Sequence, residues 1–195
     1  MEYQDRITNW ITPGASLLDL GCGDGSLLAE LKESRQVRGY GVEKDPGQIT
    51  ACLEKGLNVL QFDLDEGLAS FNDESFDLVI LKHTLQALHK PDVVLREMLR
   101  VGKKGIVTFP NFSHWYNRWY LAWKGEMPVS RAIPFNWYDT PNLHHCTCRD
   151  FEALCRNLGL TIEDCILQSA GDRRVSRQSP LANLRAQSAM YLIRK

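Results

Sequence analysis

The 195-residue chain carries 23 basic and 24 acidic residues, for a net charge of −1, and is 44% hydrophobic and 24% charged. That balance excludes a global field favouring nucleic acid or an anionic membrane, and no apolar run reaches the length needed to span a bilayer. The length suits one α/β domain over residues 1–195 with a sizeable core, and the polar opening, with six cysteines in mostly apolar or helical patterns, leads us to expect a soluble, cytoplasmic protein with reduced thiols.

In chain order, residues 1–15 read as a short helix with Ile7, Trp10 and Ile11 on one apolar face, closed by the turn Thr12-Pro13-Gly14. A strand over residues 16–20 follows, then the glycine turn Gly21-Cys22-Gly23-Asp24-Gly25 and a helix from about 26 to 33. A second strand, 38–43, ends in Glu43, and the helix after it, 46–55, stops at Gly56 as a helix with a C′ glycine does. A third strand, 58–63, closes on Asp63. Phe76-Asp77-Leu78-Val79-Ile80-Leu81 is a nearly continuous apolar run, the pattern of a strand buried on both faces of a parallel sheet. A helix over 91–100 and a fifth strand over 105–109 complete the regular alternation of βαβ units. An aromatic-rich insertion at 110–146 interrupts it. A helix over 148–158, ended by Gly159, and two strands, 160–168 and 189–194, close the chain; the last two are placed to pair antiparallel at the sheet edge.

The chemistry gathers where strands end in carboxylates: Asp19, Glu43 and Asp63. In an open α/β sheet, ligands bind at the carboxyl ends of the strands. Glu43 lies about 20 residues past the glycine turn, where a carboxylate accepts hydrogen bonds from ribose hydroxyls. The glycines run Gly21-x-Gly23-x-Gly25, and Ser26 occupies the third place of a dinucleotide fingerprint. No phosphate loop of the G-x-x-x-x-G-K-[ST] kind occurs in the chain. The reading is a ribosylated cofactor other than a dinucleotide.

These residues resemble a superfamily. Leu18-Asp19-Leu20-Gly21-Cys22-Gly23-Asp24-Gly25, Val42-Glu43, Phe62-Asp63 and the 76–81 run look like the successive motifs of class I S-adenosylmethionine-dependent methyltransferases. The resemblance implies a Rossmann-like three-layer sandwich with a seven-stranded, mostly parallel sheet and an antiparallel edge strand. It places Asp19, Gly21 and Gly23, with Cys22 and Gly25 of the same turn, at the methionine part of the cofactor. Glu43 and Lys44 fall at the ribose, Asp63 and Leu64 at the adenine, and Lys82, His83 and Thr84 beneath the sulfonium. The second half is similar to the MetW family of methionine biosynthesis proteins through Thr84-Leu85-Gln86-Ala87-Leu88, Pro110-Asn111-Phe112, Met127-Pro128-Val129, and Trp137-Tyr138-Asp139-Thr140-Pro141-Asn142 followed by His144. His83 departs from it, standing where a small polar residue such as Gln is expected. MetW resemblance implies binding of S-adenosylmethionine or S-adenosylhomocysteine and work with the homoserine O-acyltransferase MetX.

Other features have plainer readings. Cys22 reads as a small side chain tucked under the turn. His144, His145, Cys146 and Cys148 lack the spaced pairs of a structural zinc site, so no metal is expected. Trp115, Trp119 and Trp123 recur every fourth residue, which on a helix makes one face. That face either packs on the sheet as core, or serves as a lid or a partner surface.

Two functions compete. One is an accessory protein that holds the cofactor and supports the acyltransferase; the other is a methyltransferase on a small molecule, with His83 and His144 as candidate bases. No Asp/Asn-Pro-Pro-Tyr motif follows the fourth strand, which with the charge argues against nucleic acid as substrate.

Overall fold

The computed structural model describes residues 7–130, 132–169, 171 and 173–195. One sheet runs through it, built from β1 (Ser16–Leu20), β2 (Arg38–Glu43), β3 (Asn58–Gln61), β4 (Phe76–Lys82), β5 (Gly102–Pro110), β6 (Thr161–Gln168), β7 (Arg174–Val175) and β8 (Ser188–Arg194). The spatial order is β3-β2-β1-β4-β5-β8-β6-β7. Strands β1 to β5 pair in parallel, while β8 runs antiparallel to both β5 and β6. The expected α/β class and the antiparallel pairing of the last two long strands hold.

One point of the expectation changes, the strand count. Among the described residues there are eight strands rather than seven, because Arg174 and Val175 pair with Gln168 and Leu167 at the margin. This side of the sheet is antiparallel as expected, with β7 at its margin; within it β8 buries Ala189 to Ile193 between two neighbours, where an edge position would leave one side of that apolar run's backbone unpaired.

Period-two alternation splits the core. In β4, Leu78 and Ile80 join Leu17 and Ile106 beneath Leu27, Leu28 and Leu31 of α1 (Ser26–Arg35). Val79 and Leu81 join Leu18 and Leu20 on the opposite face. There they meet Leu95, Met98 and Leu99 of α3 (Pro91–Val101), with Phe151 and Cys155 of α5 (Cys148–Asn157) packed into the same cluster. Helix α2 (Pro46–Glu54) starts with Pro46 at its first turn and Asp45 accepting from the Gln48 N–H. Gly56, at φ 66°, follows its end. α5 opens on a capping box between Thr147 and Asp150. The result is three layers.

Residues 1–6 of the expected first helix lie outside the described residues. Ile7 and Thr8 are helical, and Ile7 and Ile11 are buried under the α1 face of the sheet. Trp10 Nε1 donates to Asp164 Oδ2 on β6 at 2.9 Å. Between β5 and α5, the aromatic insertion forms α4 (Trp115–Lys124) and long loops; a short helix, α6 (Ala182–Arg185), precedes β8. All six cysteines are thiols, four of them buried.

Candidate functional site

The site begins with the turn after β1. Gly21, Gly23 and Gly25 all have positive φ, at 71°, 56° and 73°, a region that a side chain disfavours. Their surroundings differ. A Cβ on Gly21 would stand 2.6 Å from Thr84 Oγ1, and one on Gly25 would stand 2.5 Å from Leu57 Cδ1 and 2.9 Å from Cys52 Sγ. These two glycines permit close packing. A Cβ on Gly23 meets only Gln48 Oε1, at 4.0 Å, so Gly23 is the position whose open face suits a ligand.

Glu43 ends β2 beside this turn. Its Oε2 accepts the Gly23 N–H at 2.9 Å, and its Oε1 accepts from the N–H groups of Lys44 and Asp45 at 2.8 and 3.1 Å. A carboxylate has about four lone-pair positions, so one remains on Oε2. A diol can take that place outright, and its second hydroxyl has to share Oε1. Asp63 caps a short 3₁₀ turn, Leu64–Glu66, by accepting from the Asp65 N–H at 3.0 Å. Its Oδ2 lies 3.6 Å from Lys44 Nζ.

A cavity of about 260 Å³ joins these strand ends, lined by Gly21, Glu43, Lys44, Asp63, Leu64 and His83 among the residues anticipated from sequence. Thr84, expected beside His83, lines it too, as do Phe62, Asp65, Leu88, Pro141 and Asn142. It sits between the ends of β1, β2 and β4, where the strand order reverses from β1 outward, the position at which open α/β sheets take ligands. Pro141 and Asn142 belong to the specific 137–142 block, and Asp65 follows Asp63 by two, so the block and the strand-end rule are the sequence signals that point to them. Thr84 Oγ1 donates toward the Leu20 and Lys82 carbonyls at 3.3 and 3.1 Å, tying the end of β4 to β1.

Five anticipated residues do not line the cavity: Asp19, Cys22, Gly23, Gly25 and Lys82. Gly23 still reaches it through Glu43. Cys22 turns its sulfur under the loop, where a Cβ on Gly41 would stand 2.5 Å from Sγ and Cys52 Sγ lies 3.9 Å away. Burial first, then the charge of Asp19, holds the Cys22 thiol above its usual range, so its side chain is packing. Asp19 is 2% exposed, and its Oδ1 has no hydrogen-bond partner among the described residues. Burial pushes this carboxyl up to about 7, opposed by the Lys82 ammonium and reinforced by Glu43. An unsatisfied buried carboxylate oxygen behind the glycine turn is what a positively charged ligand group would relieve.

His83 follows β4 in the left-handed region, at φ 57°. Its backbone N–H reaches the Thr108 carbonyl and Oγ1 at 3.0 and 3.2 Å. The surrounding protein desolvates the ring and, with the Lys82 charge, pushes its pKa down to about 4. The residue also lines two cavities. Its imidazole is neutral at pH 7, which makes it a weak base. His144 is not brought to the same place. Its N–H donates to the Gln86 carbonyl at 3.0 Å, and it lines a separate cavity of about 90 Å³ with Leu85, Cys146 and Phe151.

Among the described residues no three His, Cys, Asp or Glu side chains converge as metal ligands. His145 stacks on Phe112 at 4.5 Å, and Cys148 and Cys155 belong to the core. The tryptophan face of α4 is not core: Trp115 and Trp119 are each 53% exposed and Trp123 76%. The core reading fails because α4 buries only Asn117. The every-fourth spacing places the tryptophans together, but spacing alone does not say which face of a helix meets the sheet.

The family model described as "Methionine biosynthesis protein MetW" matches residues 2–193. The chain is 36% identical over 170 residues to the bifunctional methionine biosynthesis protein MetXA/MetW of Rhodopirellula baltica, an alignment covering 83% of this chain and 27% of that one. The chain covers between 27% and 42% of the length of the curated relatives it matches. In three dimensions it is similar to an S-adenosylmethionine-dependent methyltransferase from Mesorhizobium loti, with a TM-score of 0.72, 15% identity, and coverage of 98% of this chain and 96% of that one. It is also similar to the cyclase SpnF, with a TM-score of 0.67, 20% identity, and coverage of 98% and 81%. At such identities the likeness is one of fold, and the two names differ in chemistry.

Proposed function

Because the chain belongs to the MetW family of methionine biosynthesis proteins, we propose that it holds S-adenosylmethionine or S-adenosylhomocysteine in the glycine-turn cavity and supports or regulates a homoserine O-acyltransferase of the MetX kind. The observation that carries the second half is the Rhodopirellula relative, whose name joins MetXA and MetW in one bifunctional protein. A fused pair is held at high effective concentration. Separate chains doing the same work need a surface of their own to meet. The cofactor half is supported by the open face of Gly23, the remaining acceptor position on Glu43 and the unsatisfied oxygen of Asp19. Glu43 would hold the ribose, Asp63 and Leu64 would flank the adenine, and Asp19 with the Gly21–Gly23 backbone would receive the methionine end. When bound, the cofactor supplies either a methyl donor or a signal of how much methionine-derived product is present; in the accessory reading it is the signal.

The experiment is reconstitution. The chain is expected to co-purify with the acyltransferase of its own source and to change its acyl-transfer rate, with added S-adenosylmethionine altering the effect. A pair that neither associates nor alters acyl transfer would remove the accessory reading.

A second reading, methyl transfer to a small molecule, is favoured by a second cavity of about 470 Å³ that shares His83, Pro141 and Asn142 with the first. Methyl transfer depends mostly on proximity and in-line orientation, so a weakly basic His83 is compatible with it. Accumulation of S-adenosylhomocysteine with a candidate acceptor distinguishes this reading from the accessory one.

A further inference from the structure

The second cavity lies at the carboxyl ends of β5 and β6, beside the first residues of β8. Its volume, about 470 Å³, falls within the roughly 300–1,000 Å³ typical of small-molecule sites. Four carboxamides, Gln86, Asn142, Gln168 and Gln187, line it with Ser188 and His83. The remaining lining residues are apolar or glycine, and no Asp, Glu, Lys or Arg occurs among the described ones.

Gln168 is the telling residue. It is 1% exposed, and its Oε1 accepts from Ser188 Oγ at 3.2 Å. Its Nε2 is buried with no hydrogen-bond partner among the described residues. Turning the amide round does not help: the nitrogen would then face Ser188, and the oxygen would be left over. A buried amide atom without a partner is destabilising. Gln86 is 3% exposed, and its Nε2 reaches the Pro110 carbonyl only at 3.4 Å. Both amides can gain from a ligand that brings a carbonyl. A carboxylate or an ammonium entering the same wall would lose its hydration with no opposite charge among the described lining residues to replace it.

We propose that this cavity is a ligand site for an uncharged, carbonyl-bearing small molecule, an amide or ester, read by Gln168 and Gln86. It goes beyond the cofactor reading and rests on that reading only for the identity of its neighbour across His83 and Asn142. A free amino acid, charged at both ends, is disfavoured there.

The test uses three small probes on the full chain, one neutral and two charged: N-methylacetamide, acetate and methylammonium. Nuclear magnetic resonance follows the side-chain amide signals of Gln86, Gln168 and Gln187. N-methylacetamide is expected to shift them saturably, and acetate and methylammonium at equal ionic strength are not. Gln168→Leu removes both heteroatoms at similar size; followed on Gln86 and Gln187, it is expected to bind N-methylacetamide about tenfold more weakly. If that variant does not fold, Ala132→Phe fills the cavity from its loop wall and is expected to abolish the shift. No saturable shift, an equal response to acetate or methylammonium, or undiminished binding in the folded variant would overturn the proposal. Calorimetry with S-adenosylhomocysteine on the same preparation separates the two claims: its failure counts against the cofactor cavity, and the amide result stands or falls alone.

Discussion

The backbone N–H of Gly23 donates to Oε2 of Glu43 at 2.9 Å, so the carboxylate that ends β2 holds the glycine turn that ends β1. One side chain thus shapes the turn and offers the acceptor position beside it. Loss of Glu43 therefore acts on ligand binding twice, by removing an acceptor and by releasing the turn.

The glycines of this turn are not equivalent, and stability measurements should separate them. Gly25→Ala is expected to destabilise by about 2–4 kcal/mol, because a positive φ and overpacking against Leu57 and Cys52 act together. Gly56→Ala, at φ 66° with nothing within 4 Å of its Cβ, is expected to cost about 1 kcal/mol. Urea titration of the two variants checks the ordering, and equal losses would contradict the packing account.

Asp19 makes the protein's stability depend on pH in an uncommon direction. Its carboxyl titrates near 3.8 unfolded and about 7 folded, so the folded state binds the extra proton between those values. Stability from this group falls as pH rises from about 4 to 7, and the full penalty remains above 7. Asp19→Asn removes the buried charge and is expected to stabilise by about 2–4 kcal/mol at pH 8, with little change at pH 3. Chemical denaturation at the two pH values checks it; destabilisation at pH 8 would mean that Asp19 is satisfied in the fold.

His83 runs the other way. Its folded pKa is pushed below 6.5 by desolvation and by Lys82, so the unfolded chain takes up the proton first as pH falls below 6.5. The group's contribution is full above 6.5 and is lost as pH falls toward about 4. The carbon signals of its ring should show a titration well below 6.5, and a midpoint at or above that value would restore His83 as a competent base.

Much of this site was legible in the sequence. Carboxylates at strand ends and glycines at alternate positions give themselves away because a buried parallel strand and a left-handed turn accept few residue types. Glu43 and Asp63 were found that way, and both line the cavity. Asp19 ends a strand too, but local pattern does not distinguish a carboxylate beside a cavity from one buried behind it. Pairing partners are set by the whole sheet, so two residues such as Arg174 and Val175 leave no pattern, and β8 was placed with β6 without being seen to lie inside. The tryptophans of α4 show the limit most clearly: Trp115, Trp119 and Trp123 share a face, yet that face looks outward.

Because that face is exposed, Trp123→Ala is expected to change stability by less than about 0.5 kcal/mol, the usual range for a surface site. Thermal unfolding checks this; a loss above about 2 kcal/mol, the scale of a core truncation, would mean that α4 packs inward.

The central claim is that the cavity between Gly21, Glu43 and Asp63 holds S-adenosylmethionine or S-adenosylhomocysteine. Titration calorimetry of the full chain with S-adenosylhomocysteine, alone and as Glu43→Ala, tests it most directly. The account predicts one saturable site per chain in the parent protein and none detectable in the folded variant. No binding by the parent, or unchanged binding by Glu43→Ala, would contradict it.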